Sequence, residues 1–186
     1  MSAPAFDLGI ATTLGLDQMR FTAYHEAGHL AVSEGCGIPV KSLEISKSWF
    51  SGGTSGVTRM DLDAVAQPHP FIKDARMLTD AQIHGYLLTC LAGMRSVRLW
   101  FWATYGHFGP VEGVAFSDGG CGDEDNYRRV NRVVRISRSR AEAECDRILQ
   151  VHWGRIVRAA EAVYQRGKIR GDRVPQDVPA QAPQLA

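Results

Sequence analysis

The chain is short of several features, and each shortage removes a class of function. Charge of one sign is missing: 21 Lys and Arg stand against 20 Asp and Glu, a net charge of +1 over 186 residues. Such a balance gives no field to hold a polyanion, so nucleic acid is not an expected partner. Cysteine is sparse and scattered. Cys36, Cys90, Cys121 and Cys145 form no C-x-x-C pair, which argues against a cysteine zinc site and against a redox motif. They read as reduced thiols of a cytoplasmic protein. Met1 to Met19 has no basic start followed by an apolar core, so no secretory leader is read there. A long apolar run is also missing. The most apolar region, Ile83 to Tyr105, is interrupted by His84, Arg95 and Arg98 and predicts a core helix, not a membrane span. No internal repeat is found.

What remains is an ordinary globular composition, 45% hydrophobic and 22% charged, in a length that suits one domain with a real core. Residues 1–173 are expected to form that domain, with Met1 to Leu16 as a loose lead-in. The Pro- and Gln-rich stretch 174–186 is expected to be a disordered tail.

The pattern Tyr24-His25-Glu26-Ala27-Gly28-His29 reads H-E-x-x-H. On a helix, His25 and His29 share one face, four residues apart. Two imidazoles at that spacing grip one Zn²⁺, each at about 2.0–2.1 Å. Glu26 lies to the side of the pair, where a carboxylate deprotonates a metal-bound water. Thr22 is the expected N-cap; Ala23, Ala27, Leu30 and Ala31 are helix formers; Gly35 and Gly37 supply the stop. Gly28 costs helix propensity and points to close packing. Phe21, Tyr24, Leu30 and Val32 predict burial, and a buried His-Glu-His cluster needs a partner for its polar atoms.

After this helix, Val40 to Ser46 and Val57 to Met60 predict two strands of a small hairpin around a loop at Trp49 to Gly56. Asp61 to Pro70 reads as a loop, with Pro68-His69-Pro70 excluding regular structure. A long helix is predicted from Asp80 to Tyr105, capped by Thr79. Gly106 to Gly122 is a glycine-rich loop. A further helix starts at Asp123 and is expected to run through Ala141 and Ile148, with a bend near Ser137 to Ser139. The last helix covers His152 to Gln165 and stops at Gly167. The fold class is therefore mainly α (α+β): a helical bundle with a small β-hairpin or sheet beside the H-E-x-x-H helix.

The third ligand has to come from elsewhere. Asp123 shares a helix face with Tyr127, Val130 and Val134, all buried types, whereas Asp125 aligns with Arg129 and Arg132 on a solvent face. A carboxylate leading the buried face is the better candidate. Capping of its own helix is an alternative role for Asp123.

Several segments in order resemble the peptidase domain of the FtsH-type ATP-dependent zinc metalloproteases. Thr22 to His29 is similar to that family's zinc motif, and Pro39-Val40-Lys41-Ser42-Leu43-Glu44-Ile45 to the strand after it. Leu91-Ala92-Gly93-Met94-Arg95 resembles the core helix, and Ser117-Asp118-Gly119-Gly120-Cys121-Gly122-Asp123 the loop before the aspartate ligand. Arg147 to Gly171 resembles the last helix and its turn. The resemblance covers about Thr22 to Arg173 and implies zinc ligands His25, His29 and Asp123 with Glu26 as general base. A shifted register places Asp125 or Asn126 at the third position instead. Val97 and Arg98 stand where the family has an acidic residue. Nothing here resembles the ATPase module, which implies a stand-alone, ATP-independent peptidase domain acting on peptides or unfolded chains, with a separate ATPase partner left open. The competing class is a catalytically impaired metal-binding domain acting as a protein-interaction module.

Other features have plainer readings. Arg128, Arg132, Arg135, Arg138 and Arg140 read as a solvated helix face. Trp100, Phe101, Trp102, Tyr105 and Phe108 read as core, with a homo-oligomer contact as the alternative. His69, His84, His107 and His152 have no partner at ligand spacing. Cys121 is an incidental small residue with a minor prospect of joining a metal shell.

Overall fold

The computed structural model describes residues 17–47, 53–73, 76–106 and 121–174. The expected lead-in, the segment 107–120 (with His107 and Phe108), the side chain of Cys121 and the tail beyond Val174 lie outside them. In chain order the elements are α1 (Gln18–Gly35), β1 (Val40–Lys47), β2 (Thr54–Met60), α2 (Leu62–Val65), β3 (Gln67–Pro68), β4 (Arg76–Met77) and α3 (Asp80–Tyr105). There follow α4 (Cys121–Val134), α5 (Arg138–Val151), α6 (Trp153–Arg166), β5 (Lys168–Arg170) and a closing 3₁₀ turn, Gly171–Arg173. The fold is mainly α with a small sheet beside α1, as expected.

Every residue of α1 from Thr22 to Ser33 is buried, the mark of a central helix and not of a surface helix with one apolar stripe. It packs against α3, α5 and α6 and against β1 and β2. Its start differs from expectation. Asp17, not Thr22, is the N-cap, with Oδ1 accepting the Arg20 N–H at 3.1 Å. Gln18, Met19 and Arg20 extend the helix upstream as good helix formers, and the Thr22 hydroxyl donates instead to Gln18 O at 3.0 Å. The end is as expected: Cys36 caps it, and Gly37 takes a φ of 75°, open to glycine at no steric cost. Gly28 marks a close approach of α1 to α3. A Cβ there would lie 2.5 Å from Ser96 Cβ and 2.7 Å from Ala92 O.

The three-stranded sheet has the order β2-β1-β5, all antiparallel. Leu43 stands opposite Thr58 on one side and Ile169 on the other. β1 is thus the middle strand, and β2 and β5 are the two edges. β5 leaves no signal in the sequence, since three residues are too few to show an alternating pattern. The loop expected over Asp61 to Pro70 contains α2, capped by Asp61, and β3, whose Pro68 stands opposite Arg76 of β4. A proline is tolerated there because the ladder is a two-stranded edge.

α3 has the expected bounds, set locally by a capping box between Thr79 and Gln82 and by Gly106 at a φ of 73°. The helix expected to run from Asp123 through Ile148 is instead two helices. The Asn131 side chain binds both N–H and C=O of Ile136 at 3.0 Å, capturing the chain out of the helix. Arg135 turns at a φ of 56°, and Ser137 caps α5. Val174, assigned above to the tail, is 2% exposed and belongs to the core. It is tied there by buried Arg155, which donates to Val174 O at 2.9 Å and forks onto Glu34 at 2.5 and 2.8 Å. Among the described residues no helix is long and apolar enough to cross a membrane.

Candidate metal centre

α1 contributes His25 and His29 on one face, as the four-residue spacing demands. α4 contributes Asp123 from its first turn. His25 Nε2 lies 3.0 Å from His29 Nε2. Asp123 Oδ2 closes the triangle at 3.0 Å from His25 Nε2 and 3.1 Å from His29 Nε2. Among the described residues these three alone form a compact group of metal-ligating type, with all ligand atoms within 4.8 Å. Both histidines are buried, at 6% and 7% exposure. Asp125 is exposed and does not join the group.

The tautomer of His29 follows from its other nitrogen. Nδ1 sits 2.7 Å from Thr89 O of α3. A carbonyl only accepts, so Nδ1 carries the hydrogen and Nε2 of the neutral ring carries the lone pair. A nitrogen lone pair, a second imidazole nitrogen and a carboxylate oxygen therefore meet at about one van der Waals contact. Such a meeting needs positive charge between the groups, a proton or a metal ion. Proton affinity shows the same field. Burial alone would lower the pKa of His29, but the hydrogen bond and charge of Asp123, with Glu26 beyond, raise it to about 9. Burial would likewise raise Asp123, yet its two histidine partners hold it well below the usual carboxylate range. Two imidazole nitrogens and one carboxylate fit the donor chemistry of a zinc site with an open fourth position.

Glu26 is 6% exposed and stands outside the triangle. The Thr58 hydroxyl of β2 lies 2.7 Å from Glu26 Oε2. Two glycines give the polar groups their room. A Cβ at Gly56 of β2 would lie 2.5 Å from Glu26 Oε1, and one at Gly93 of α3 would lie 2.4 Å from His25 Nε2. Sequence reasoning missed Thr58, Thr89 and Gly56. A main-chain acceptor has no residue signature, and a threonine is an ordinary strand residue. Gly93 carries no signal of its own in the sequence beyond the family resemblance of Leu91 to Arg95.

Two of the other histidines have partners of their own. His84 lies 2.7 Å from Glu144, and His69 Nδ1 accepts from the backbone of Phe71 and Ile72. In the aromatic group Trp100 and Phe101 are core, while Tyr105 is 48% exposed.

No protein-family model matches the chain, and no curated protein matches it.

Proposed function

We propose that the chain is a zinc-dependent, metallopeptidase-like hydrolase, with His25, His29 and Asp123 as metal ligands and Glu26 as general base. The observation that carries this reading is the triangle of two Nε2 atoms and one Oδ2 with sides of 3.0–3.1 Å, next to a buried carboxylate in the same helix. A zinc ion held there would supply a Lewis acid and a water acidified towards neutrality. The chain's own groups do the rest. Thr89 O keeps His29 in the tautomer whose Nε2 binds. Glu26 accepts the proton of the attacking water and returns it to the leaving amine. Thr58, donating to Oε2, stops the carboxylate from rotating away. β2 is the sheet edge that carries Thr58, so an extended peptide adding as a further strand along β2 would lie beside the base. β1 does not serve that role, since β2 and β5 occupy its two sides.

One observation favours the second reading, an impaired metal-binding domain used for protein interaction. His25 Nδ1 is buried with no hydrogen-bond partner among the described residues, whereas ligand imidazoles normally donate that N–H to an orienting group. Metal content and casein hydrolysis of wild type and Glu26→Gln separate the two. Zinc in both proteins with hydrolysis lost only in the variant supports the hydrolase. Zinc in both with hydrolysis in neither supports the interaction module. No bound metal in either overturns both.

A further inference from the structure

We propose that Arg138 is a positioning residue for the metal centre, holding α4 so that Asp123 meets the two histidines; this rests on the reading of Asp123 as third ligand. His25 and His29 sit on the most deeply packed helix of the molecule. Asp123 sits on α4, where Tyr127 alone among the described side chains is less than a tenth exposed. α4 packs against α3, so its rotation about its own axis is restrained on one side by that contact. A metal site tolerates ligand displacement of only about 0.5 Å, and something has to set that rotation.

Arg138, the first residue of α5, reaches back to α4 at two points. Its Nη1 lies 2.7 Å from Glu124 Oε2, the neighbour of Asp123 in the chain. Its guanidinium lies 4.6 Å above the Tyr127 ring, one turn further on. Two holds three residues apart on one helix fix both its rotation and its slide. The same guanidinium donates through Nε to Glu142 Oε1 at 2.6 Å. Glu142 in turn pairs with Arg95 of α3 at 3.5 Å, and Arg95 is forked onto Asp146. α3 is the helix whose Thr89 carbonyl and Gly93 set the histidines. The charged chain Arg95–Glu142–Arg138–Glu124 thus connects the element that orients the histidines with the element that carries the carboxylate. Arg138 is half-exposed, at 47%, so each of its pairs by itself contributes little to stability. Its consequence is read in the ligand, not in the fold.

The matched control lies two residues away. Arg140 makes an i,i+4 pair with Glu144 at 3.1 Å in the same helix and is not paired with α4. Zinc titration of metal-free wild type, Arg138→Ala, Arg138→Lys and Arg140→Ala is the test, with the visible spectrum of the Co²⁺-loaded proteins as second readout. Arg138→Ala is expected to weaken zinc about tenfold, the scale of losing a group that orients a ligand, and to alter the Co²⁺ spectrum. Arg138→Lys, which keeps the charge but not the fork, should recover part of the affinity. Arg140→Ala should bind as wild type does. In an Asp123→Ala background, Arg138→Ala should cost nothing further. Wild-type affinity and spectrum in Arg138→Ala overturn the inference and leave the metal reading standing, as does an equal loss in Arg140→Ala. Zinc affinity unchanged by Asp123→Ala overturns the inference by removing its ligand.

Discussion

The Thr58 hydroxyl and the Glu26 carboxylate, 2.7 Å apart, join the edge strand β2 to the residue next to the first histidine. The hydroxyl also lies 3.0 Å from Glu26 O, but its single hydrogen goes to the nearer carboxylate oxygen. Thr58→Val keeps the volume and removes the donor. Turnover of a peptide substrate should fall about tenfold, the scale of one hydrogen bond to a charged group, with zinc content unchanged. Thr58→Ser should retain most activity. Full turnover in Thr58→Val would show that Glu26 needs no such restraint.

Gly93 leaves room for the His25 ring. An added Cβ would stand 2.4–2.7 Å from three ring atoms, and both partners sit on packed helices with little freedom to part. Gly93→Ala should destabilise the fold by about 1–3 kcal/mol, as overpacking does, and weaken metal binding together with it. Urea unfolding and zinc titration of the variant check this, and wild-type values for both would contradict the close approach.

The metal-free protein should have an unusual pH profile. His29 is raised to about 9 by Asp123 against the opposing effect of burial, so its contribution to stability is complete below the unfolded value of about 6.5. That contribution is lost as pH rises through about 9. Asp123 is depressed, so its contribution is present above about 3.9 and lost as pH falls below it. Denaturation midpoints with a chelator present should decline from about pH 6.5 towards about 9. In Asp123→Asn the decline should shrink. Zinc affinity should show the opposite trend, rising with pH, because the metal takes the neutral imidazole. Equal slopes in wild type and Asp123→Asn would rule out the pair as the cause.

Arg155 secures the far end of α1. Its guanidinium is 8% exposed and forks onto Glu34 while also donating to Val174 O. Arg155→Ala strands the Glu34 carboxylate and frees the C-terminal turn. A loss of about 3–5 kcal/mol is expected, the range for breaking one side of a buried ion pair. Calorimetry decides it, and a change below about 1 kcal/mol would place this pair with exposed ones.

Local chemistry accounts for what was legible in the chain. The bounds of α3 follow from Thr79 and Gln82, three residues apart, and from Gly106 at the other end. Gly167 ends α6 for the same kind of reason, with a φ of 72°. The break between α4 and α5 was misplaced because it depends on one side chain, Asn131, choosing Ile136 over solvent. The start of α1 lies upstream of the expected Thr22 because Asp17 supplies the cap and the intervening residues favour the longer helix.

Short-range pattern alone placed His25, Glu26 and His29 on one helix and made Asp123 the acid leading a half-buried face. That much is periodicity, which residue types a few positions apart carry in full. The meeting of Asp123 with His25 across 98 residues of chain, the carbonyl of Thr89 that sets the ligand nitrogen, and the Thr58 hydroxyl on Glu26 were decided only by the packed molecule. They depend on how α3, α4 and β2 seat against α1. Such seating is the outcome of many dispersed contacts and of main-chain groups that every residue possesses alike.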